Sequence, residues 1–296
     1  MQTQPYLTVD GYNIARCSRC RFMFVAPMPA PTELEHLYAQ AGYYEDSDLG
    51  YADYLGDRAR HEQLAERRLR RIERLLPGTG SVLDVGCAAG FFLNTARSRV
   101  WRTVGVEISP EMRAYAEGLL GHAVVPTLDE LEIAPDSLDA VTLWEYIEHV
   151  PDPLDEVRRV AALLRPGGIL ALSTPNTGYW NATYQPERWR EFKPPAHLGF
   201  FTRETLHRLL DSSGLAVIAL DGVVARAPAQ PYALHRLLML LRERVGSGED
   251  RRSPWWWSFS LAWRAVEQMS RMVYQWNWPG SDLHIGLEAY ARKPVS

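Results

Sequence analysis

The run Val82-Leu83-Asp84-Val85 stops at Gly86-Cys87-Ala88-Ala89-Gly90, and Phe91-Phe92-Leu93 then opens a helical pattern. A strand that ends in a turn of small residues and restarts as a helix is the first half of a βαβ unit. It commits a chain to a parallel sheet with helical crossovers. The alternation continues. Residues 103–108 read as a second strand, followed by Ser109 as a cap and Pro110 at the first helical position. Residues 123–125 form a short third strand and 138–143 a fourth. Asp152-Pro153 start a helix that Pro166-Gly167-Gly168 ends. Strands at 169–173 and 215–220 flank a helix capped by Thr202. Upstream, residues 58–76 carry an apolar stripe, Leu64, Leu69, Ile72 and Leu76, and many arginines, which read as the solvated face. The pattern predicts an α/β fold with a doubly wound, mostly parallel sheet.

Composition removes several classes. A net charge of −4 argues against a general nucleic-acid binder. Three cysteines cannot frame a disulfide-stapled secreted domain. No window offers the 18 or so apolar residues of a membrane span, and the first ten residues have no signal-peptide pattern, so the expected location is the cytoplasm. Cys17-Ser18-Arg19-Cys20 has the spacing of half a zinc knuckle, but a structural site needs four ligands and this sequence holds one pair, the other being lost or upstream of its start. The first 30 residues otherwise read as irregular, and Thr32 with Glu35 as the opening of a short helix.

The turn after the first strand selects its ligand. A dinucleotide fingerprint wants Gly-x-Gly-x-x-Gly, and counted from Gly86 its later glycines fall on Ala88 and Phe91. Asp84 would sit badly beside a pyrophosphate and suits a cation. Glu107 ends the second strand, where a carboxylate accepts from ribose hydroxyls. An acid at the turn and an acid at the ribose describe S-adenosylmethionine, which carries an ammonium and a sulfonium.

Together with Val104-Gly105-Val106-Glu107, the segment Glu148-His149-Val150-Pro151-Asp152-Pro153 and Leu164-Arg165-Pro166-Gly167-Gly168, this turn resembles the class I S-adenosylmethionine-dependent methyltransferases, in the broad group that includes the ubiquinone-pathway O-methyltransferases. The resemblance covers residues 60–222 and returns at 283–293. It implies a seven-stranded sheet whose last strand is antiparallel, an N-terminal extension (1–57) with one CxxC pair, a methyltransferase domain (58–222 and 282–296) and a helical, tryptophan-rich insertion (223–281). It also implies that Asp84, Gly86, Cys87 and Gly90 line the methionine part of the cofactor, that Glu107 holds the ribose, and that Ile108 packs on the adenine. Cys87 reads as a packing thiol rather than a reactive one. Ala88 stands where many members have glycine, which is tolerated if the backbone there is not left-handed.

Trp144-Glu145-Tyr146-Ile147-Glu148-His149 follows the fourth strand, at the sheet end where open α/β sheets bind ligands. An oxygen acceptor needs its proton removed, and histidine is the natural base. His149 is the first candidate, and His197 a rival with Lys193 nearby. Glu145, Glu148 and His149 could instead hold a divalent ion, or Glu148 and His149 could only brace the loop. Six of the ten tryptophans fall between Trp255 and Trp278, which suits a lid over the acceptor, a dimer contact, peripheral contact with a membrane, or plain packing. The expectation is a methyltransferase acting on a small or lipid-linked acceptor such as a sugar or quinol, with no nucleic-acid partner. A non-catalytic cofactor-binding subunit is the alternative, and a dehydrogenase a weaker third reading.

Overall fold

The computed structural model describes residues 2–39, 53–179, 182–183, 185–223, 282 and 284–295. The tryptophan-rich stretch beyond Val223 lies outside the described residues. Two sheets organise the chain.

The larger sheet has six strands. In chain order they are β4 (Ser81–Val85), β5 (Arg102–Val106), β6 (Leu138–Trp144), β7 (Leu164–Pro175), β9 (Ala216–Val223) and β10 (Gly286–Arg292), in spatial order β5-β4-β6-β7-β10-β9. The first four run parallel, and β10 is antiparallel to both of its neighbours. The sheet is therefore mixed. The expected third strand is reduced to a single parallel bridge between Val106 and Val125. Only three residues separate His122 from Pro126, and proline has no N–H to extend a ladder.

Helices cover both faces. On one face, α5 (Pro153–Leu163) and α6 (Arg203–Ser212) bury Val157, Val160, Leu206 and Leu210 against Leu83, Val141, Leu143 and Leu172. On the other, α2 (Arg58–Leu75), α3 (Phe91–Ser98) and α4 (Pro110–Leu120) bury Leu69, Ile72, Leu93, Ala116 and Leu120 against Val82, Ala140 and Ala171. The central strands are covered twice, which is why they read as near-continuous apolar runs. The caps are local. Ser109 accepts from Met112 N–H, Asp152 from Leu154 and Asp155 N–H, and Thr202 forms a capping box with Thr205. α5 stops at Leu163, ahead of the Pro-Gly-Gly signal, because Leu164 already pairs with Leu138. The arginines of α2 are not all solvated. Arg68 is 8% exposed and reaches across to the larger sheet.

The first 30 residues are not irregular. β1 (Thr3–Val9), β2 (Tyr12–Cys17) and β3 (Met23–Val25) form an antiparallel sheet completed by β8 (Gly199–Phe200). The β1–β2 turn is Asp10-Gly11, both residues at positive φ (49° and 84°), the dipeptide that two-residue hairpins prefer. That signal was present in the sequence between Leu7-Thr8-Val9 and Tyr12. Helix α1 (Pro31–Ala39) follows. Ile14, Met23, Val25 and Leu34 make a separate core with Trp189, Phe192, Leu198 and Phe200. The N-terminal segment is thus built into the larger unit by β8. Among the described residues no helix is long and apolar enough to cross a membrane.

Candidate functional site

A cavity of about 1410 Å³ opens at the carboxyl ends of β4, β5 and β6. It is lined on one side by Asp84, Gly86, Cys87, Ala88, Glu107 and Ile108, and on the other by Trp144, Glu145, Glu148, His149, Lys193 and His197. The two groups of residues singled out in the sequence therefore share one space, although more than 100 residues separate Asp84 from His197. Gly90, by contrast, packs inward, with Ala116 Cβ 3.1 Å from where a Cβ would sit.

The turn is folded back on the end of β5. The N–H groups of Gly86 and Cys87 donate to Val106 O at 2.8 and 3.0 Å, and Gly90 N–H donates to Cys87 O. Gly86 and Gly90 are left-handed, as glycine allows. Ala88 is left-handed too, at φ 45°, so the condition set on its replacing glycine is not met. Such a backbone costs about 1–2 kcal/mol in an L-residue. It is offset by the bond it aims: Ala88 N–H donates to Glu107 Oε2 at 2.8 Å. Glu107 Oε1 accepts from Ser109 N–H at 2.8 Å. The Glu107 side chain is thus fixed by backbone amides on both sides.

Asp84 is 2% exposed, and Thr142 Oγ1 donates to it at 2.6 Å. Burial pushes its carboxyl up to about 7, against the Thr142 bond and the Arg68 charge, with Glu107 pushing further up. Two buried acids in one wall favour a cationic guest. Cys87 is buried among apolar side chains, and burial raises its thiol well above the usual range. It is the inert packing thiol expected, although it also touches the cavity. Ile108 is 44% exposed at the cavity wall, an apolar surface that a flat ring would cover.

The opposite wall starts at Glu145, whose φ of 48° turns the chain sharply after β6, while its N–H donates to Ser173 O and Oγ. Its carboxyl opens into the cavity and is pushed up, first by desolvation. The Tyr146 ring presses on Gly86, 2.7 Å from where a Cβ would sit, and its hydroxyl donates to Glu156 at 2.7 Å. Glu148 is buried, and its Oε2 has no hydrogen-bond partner among the described residues. His149 Nδ1 lies 2.7 Å from Ala196 O and His197 Nδ1 2.9 Å from Glu191 O. A carbonyl acceptor at Nδ1 favours the tautomer protonated there in each ring, and His149 also faces the Glu145 carbonyl. The two rings meet edge to face at 4.8 Å. Burial lowers His149 to about 4 and His197 well below its usual value, so both are neutral near pH 7.

The sequence reading missed three contributors. Arg68 stacks on Trp144 at 3.9 Å and bonds Glu288 and Ser173. Tyr54 and His61 stack with Phe91 beside the turn, the Tyr54 hydroxyl held protonated by burial and by Asp84 and Glu107. Their type and spacing gave no motif. Only the fold brings them to the cavity.

Comparison with known proteins bears on the family and the fold. Residues 57–220, more than half of the chain, match the family model described as a methyltransferase domain. The ubiquinone biosynthesis O-methyltransferase of Xanthomonas campestris is 34% identical over 162 residues, 47% of this chain and 67% of that protein. That of Aeromonas salmonicida is 30% identical over 155 residues, 48% of this chain and 65% of that protein. The chain thus spans about two thirds of these relatives' length. Among solved structures, a SAM-dependent methyltransferase from Archaeoglobus fulgidus superposes with a TM-score of 0.51 at 18% identity, covering 78% of this chain and 94% of that one. At that identity the likeness speaks for the fold alone. With the strand–turn–helix cradle and the strand-end acid in place, the matched domain decides the matter: the chain belongs to the class I S-adenosylmethionine-dependent methyltransferases.

Proposed function

We propose that the chain transfers the methyl group of S-adenosylmethionine to an oxygen atom of a small or lipid-linked acceptor, such as a sugar or quinol. One observation supports this above the others: the buried pair Asp84 and Glu107 faces, across a single cavity, two neutral histidines whose Nδ1 atoms meet backbone carbonyls. In this reading Asp84 and the Gly86–Ala88 turn receive the ammonium end. Glu107 accepts from the ribose hydroxyls and Ile108 covers the adenine. Arg68, the buried guanidinium over Trp144, meets the carboxylate end. His149 Nε2 takes the acceptor's proton as the oxygen attacks the methyl group in line with the departing sulfur. His197, edge-on to His149, orients that ring and is the second candidate base.

The residues also fit a divalent cation, though not the set expected from the sequence. Ligand atoms of Glu148, His149 and His197 lie within 4.8 Å of one another, and Glu145 is not part of the group. Two imidazoles and a carboxylate suit a transition ion better than magnesium. Such an ion would act as a Lewis acid beside the acceptor oxygen. Activity lost to EDTA and restored by zinc or manganese would support the ion. Indifference to chelation would leave His149 as the base.

The deciding experiment supplies S-adenosylmethionine with candidate quinols, sugars and lipid-linked intermediates and measures S-adenosylhomocysteine. Release that requires an acceptor supports transfer. Cofactor binding without release on any acceptor would favour a non-catalytic subunit. A cytoplasmic site of action with peripheral membrane contact belongs to the same proposal.

A further inference from the structure

The CxxC pair stands apart from the cofactor cavity and has no role in methyl transfer as proposed. Cys17 closes β2, Ser18, Arg19 and Cys20 form a turn, and β3 begins at Met23. The turn is tied at both ends: Cys17 N–H donates to Phe22 O at 2.9 Å, and Arg21 N–H donates to Cys17 O at 3.0 Å. Arg21 is left-handed at φ 64°. A tight turn of this length keeps the Cα atoms of residues i and i+3 within about 7 Å, a span that a disulfide can bridge. Cys17 is buried and Cys20 half-exposed, and both are thiols in this structure. A zinc site would need two further ligands. The sole cluster of three or more metal-ligating side chains among the described residues is the Glu148, His149 and His197 group, and neither cysteine belongs to it.

We propose that Cys17 and Cys20 form a dithiol–disulfide couple whose state is felt by the loop carrying His197. The oxidant is a low-molecular-weight disulfide of the glutathione class. Cys20, the accessible member, attacks one sulfur of the oxidant as a thiolate and forms a mixed disulfide. One glutathione leaves and takes up the proton that Cys20 gave. Cys17 then attacks the Cys20 sulfur, the second glutathione leaves, and the intramolecular S–S bond closes. The two cysteines lose two electrons and two protons, and the oxidant becomes two thiols. The N–H groups of Cys20 and Arg19 face the Cys17 sulfur and favour its thiolate, the form that must resolve the mixed disulfide.

The path to the active face is short. Phe22, whose carbonyl holds Cys17, packs its ring on Phe201 at 4.9 Å. A ring carbon of Phe22 also lies 3.0 Å from where a Gly199 Cβ would sit. Met23 and Phe24 pair with Phe200 and Gly199. Leu198 is held from both sides, by Val25 N–H on its carbonyl at 3.0 Å and by Glu148 O on its N–H at 2.7 Å. Tightening the turn therefore pulls on the residues that follow His197 directly.

The test uses the full chain in glutathione buffers of graded oxidation, quenched in acid, alkylated and weighed. Cys17 and Cys20 should be lost from alkylation together, with a mass two hydrogens lower. Cys87, buried with its thiol held protonated, should stay alkylatable only after unfolding. Hydrogen exchange on peptides covering residues 196–201 should differ between the two states. A persistent glutathione adduct on Cys20 alone, no oxidation at any ratio, or one zinc retained per chain and lost with Cys17→Ser would overturn the couple. A disulfide that forms without change in exchange would overturn the coupling. None of these readouts depends on methyl transfer, so failure here is separable from failure of the catalytic proposal.

Discussion

Asp84 is the residue where burial bears most directly on the proposed function. Its carboxyl is raised to about 7, so below that pH it holds a proton. A cationic cofactor binds the ionised form better, so binding must expel that proton. The affinity for S-adenosylmethionine should rise with pH up to about 7 and level off above it. Calorimetry at pH 6.5 in buffers of different ionisation enthalpy should show proton release. An affinity that is flat between pH 5.5 and 8 would remove Asp84 from the ammonium site. His149 predicts a different profile, because its value is already near 4. Turnover at saturating cofactor should hold steady from pH 8 down to about 5. His149→Ala should leave cofactor affinity unchanged and lower turnover by about 10²–10⁴-fold, the range for loss of a general base. Near-normal turnover would assign the ring to bracing the loop through Ala196. Glu107→Ala should weaken cofactor binding by roughly 1.5–3 kcal/mol, the scale of hydrogen bonds to a charged group. Because the same carboxylate holds Ala88 and Ser109, the variant should also melt earlier. Glu107→Gln, which keeps one acceptor oxygen, should separate the two losses.

At the scale of elements, α2 is held to the sheet by charge as well as by its apolar stripe. The Arg68 and Glu288 side chains are 10% and 7% exposed and bond at 3.1 Å. Arg68→Met should cost about 3 kcal/mol in urea unfolding, because it strands a buried carboxylate that Arg67 and Tyr290 only partly compensate. Adding Glu288→Met should recover most of the loss. A single variant as stable as the wild type would mean that the ion pair holds nothing. These elements also show what a sequence can and cannot disclose. The strands β4 to β7 and their caps were legible, because burial on both faces makes them apolar and Ser109, Asp152 and Thr202 act within one turn. The Asp84 turn and Glu107 were legible for the same local reason. The N-terminal hairpin was overlooked: its strands are half exposed and their apolar residues sparse, and only Asp10-Gly11 marked it. Arg68 was not legible at all. Seven arginines crowd α2, and which one turns inward is decided by Glu288, 220 residues away.

For the whole molecule, the N-terminal sheet and the larger unit meet behind the cavity wall that carries His149 and His197, through β8 and Leu198. Removing residues 2–25 should therefore unpair Gly199 and Phe200 and loosen His197, while leaving the Asp84 turn in place. Such a variant should still bind S-adenosylmethionine but lose most turnover. Loss of both together would show that the two sheets fold as one unit. The tryptophan-rich stretch tests the proposed acceptor class. Replacing Trp255, Trp256 and Trp257 by serine should lower acceptor affinity and binding to anionic vesicles with the cofactor site unaffected. Tryptophan fluorescence indifferent to vesicles, with unchanged acceptor kinetics, would remove the lipid-linked reading.

The position of β10 has a consequence for how such a chain comes into being. Gly286–Arg292 pairs on one side with β7 and on the other with β9, so the sheet is closed by a strand made after both of its neighbours. Between Val223 and Gly286 the ribosome adds about 60 residues, which takes roughly 3–12 s at ordinary elongation rates. Throughout that interval β7 and β9 each present an open row of N–H and C=O groups, the kind of edge on which neighbouring chains assemble. Crowding on a polysome places several such nascent edges side by side. Yield in the cell is thus set by a race between the arrival of residues 286–292 and the encounter of two unfinished chains, and slowing translation across 224–285 should tilt it toward aggregates.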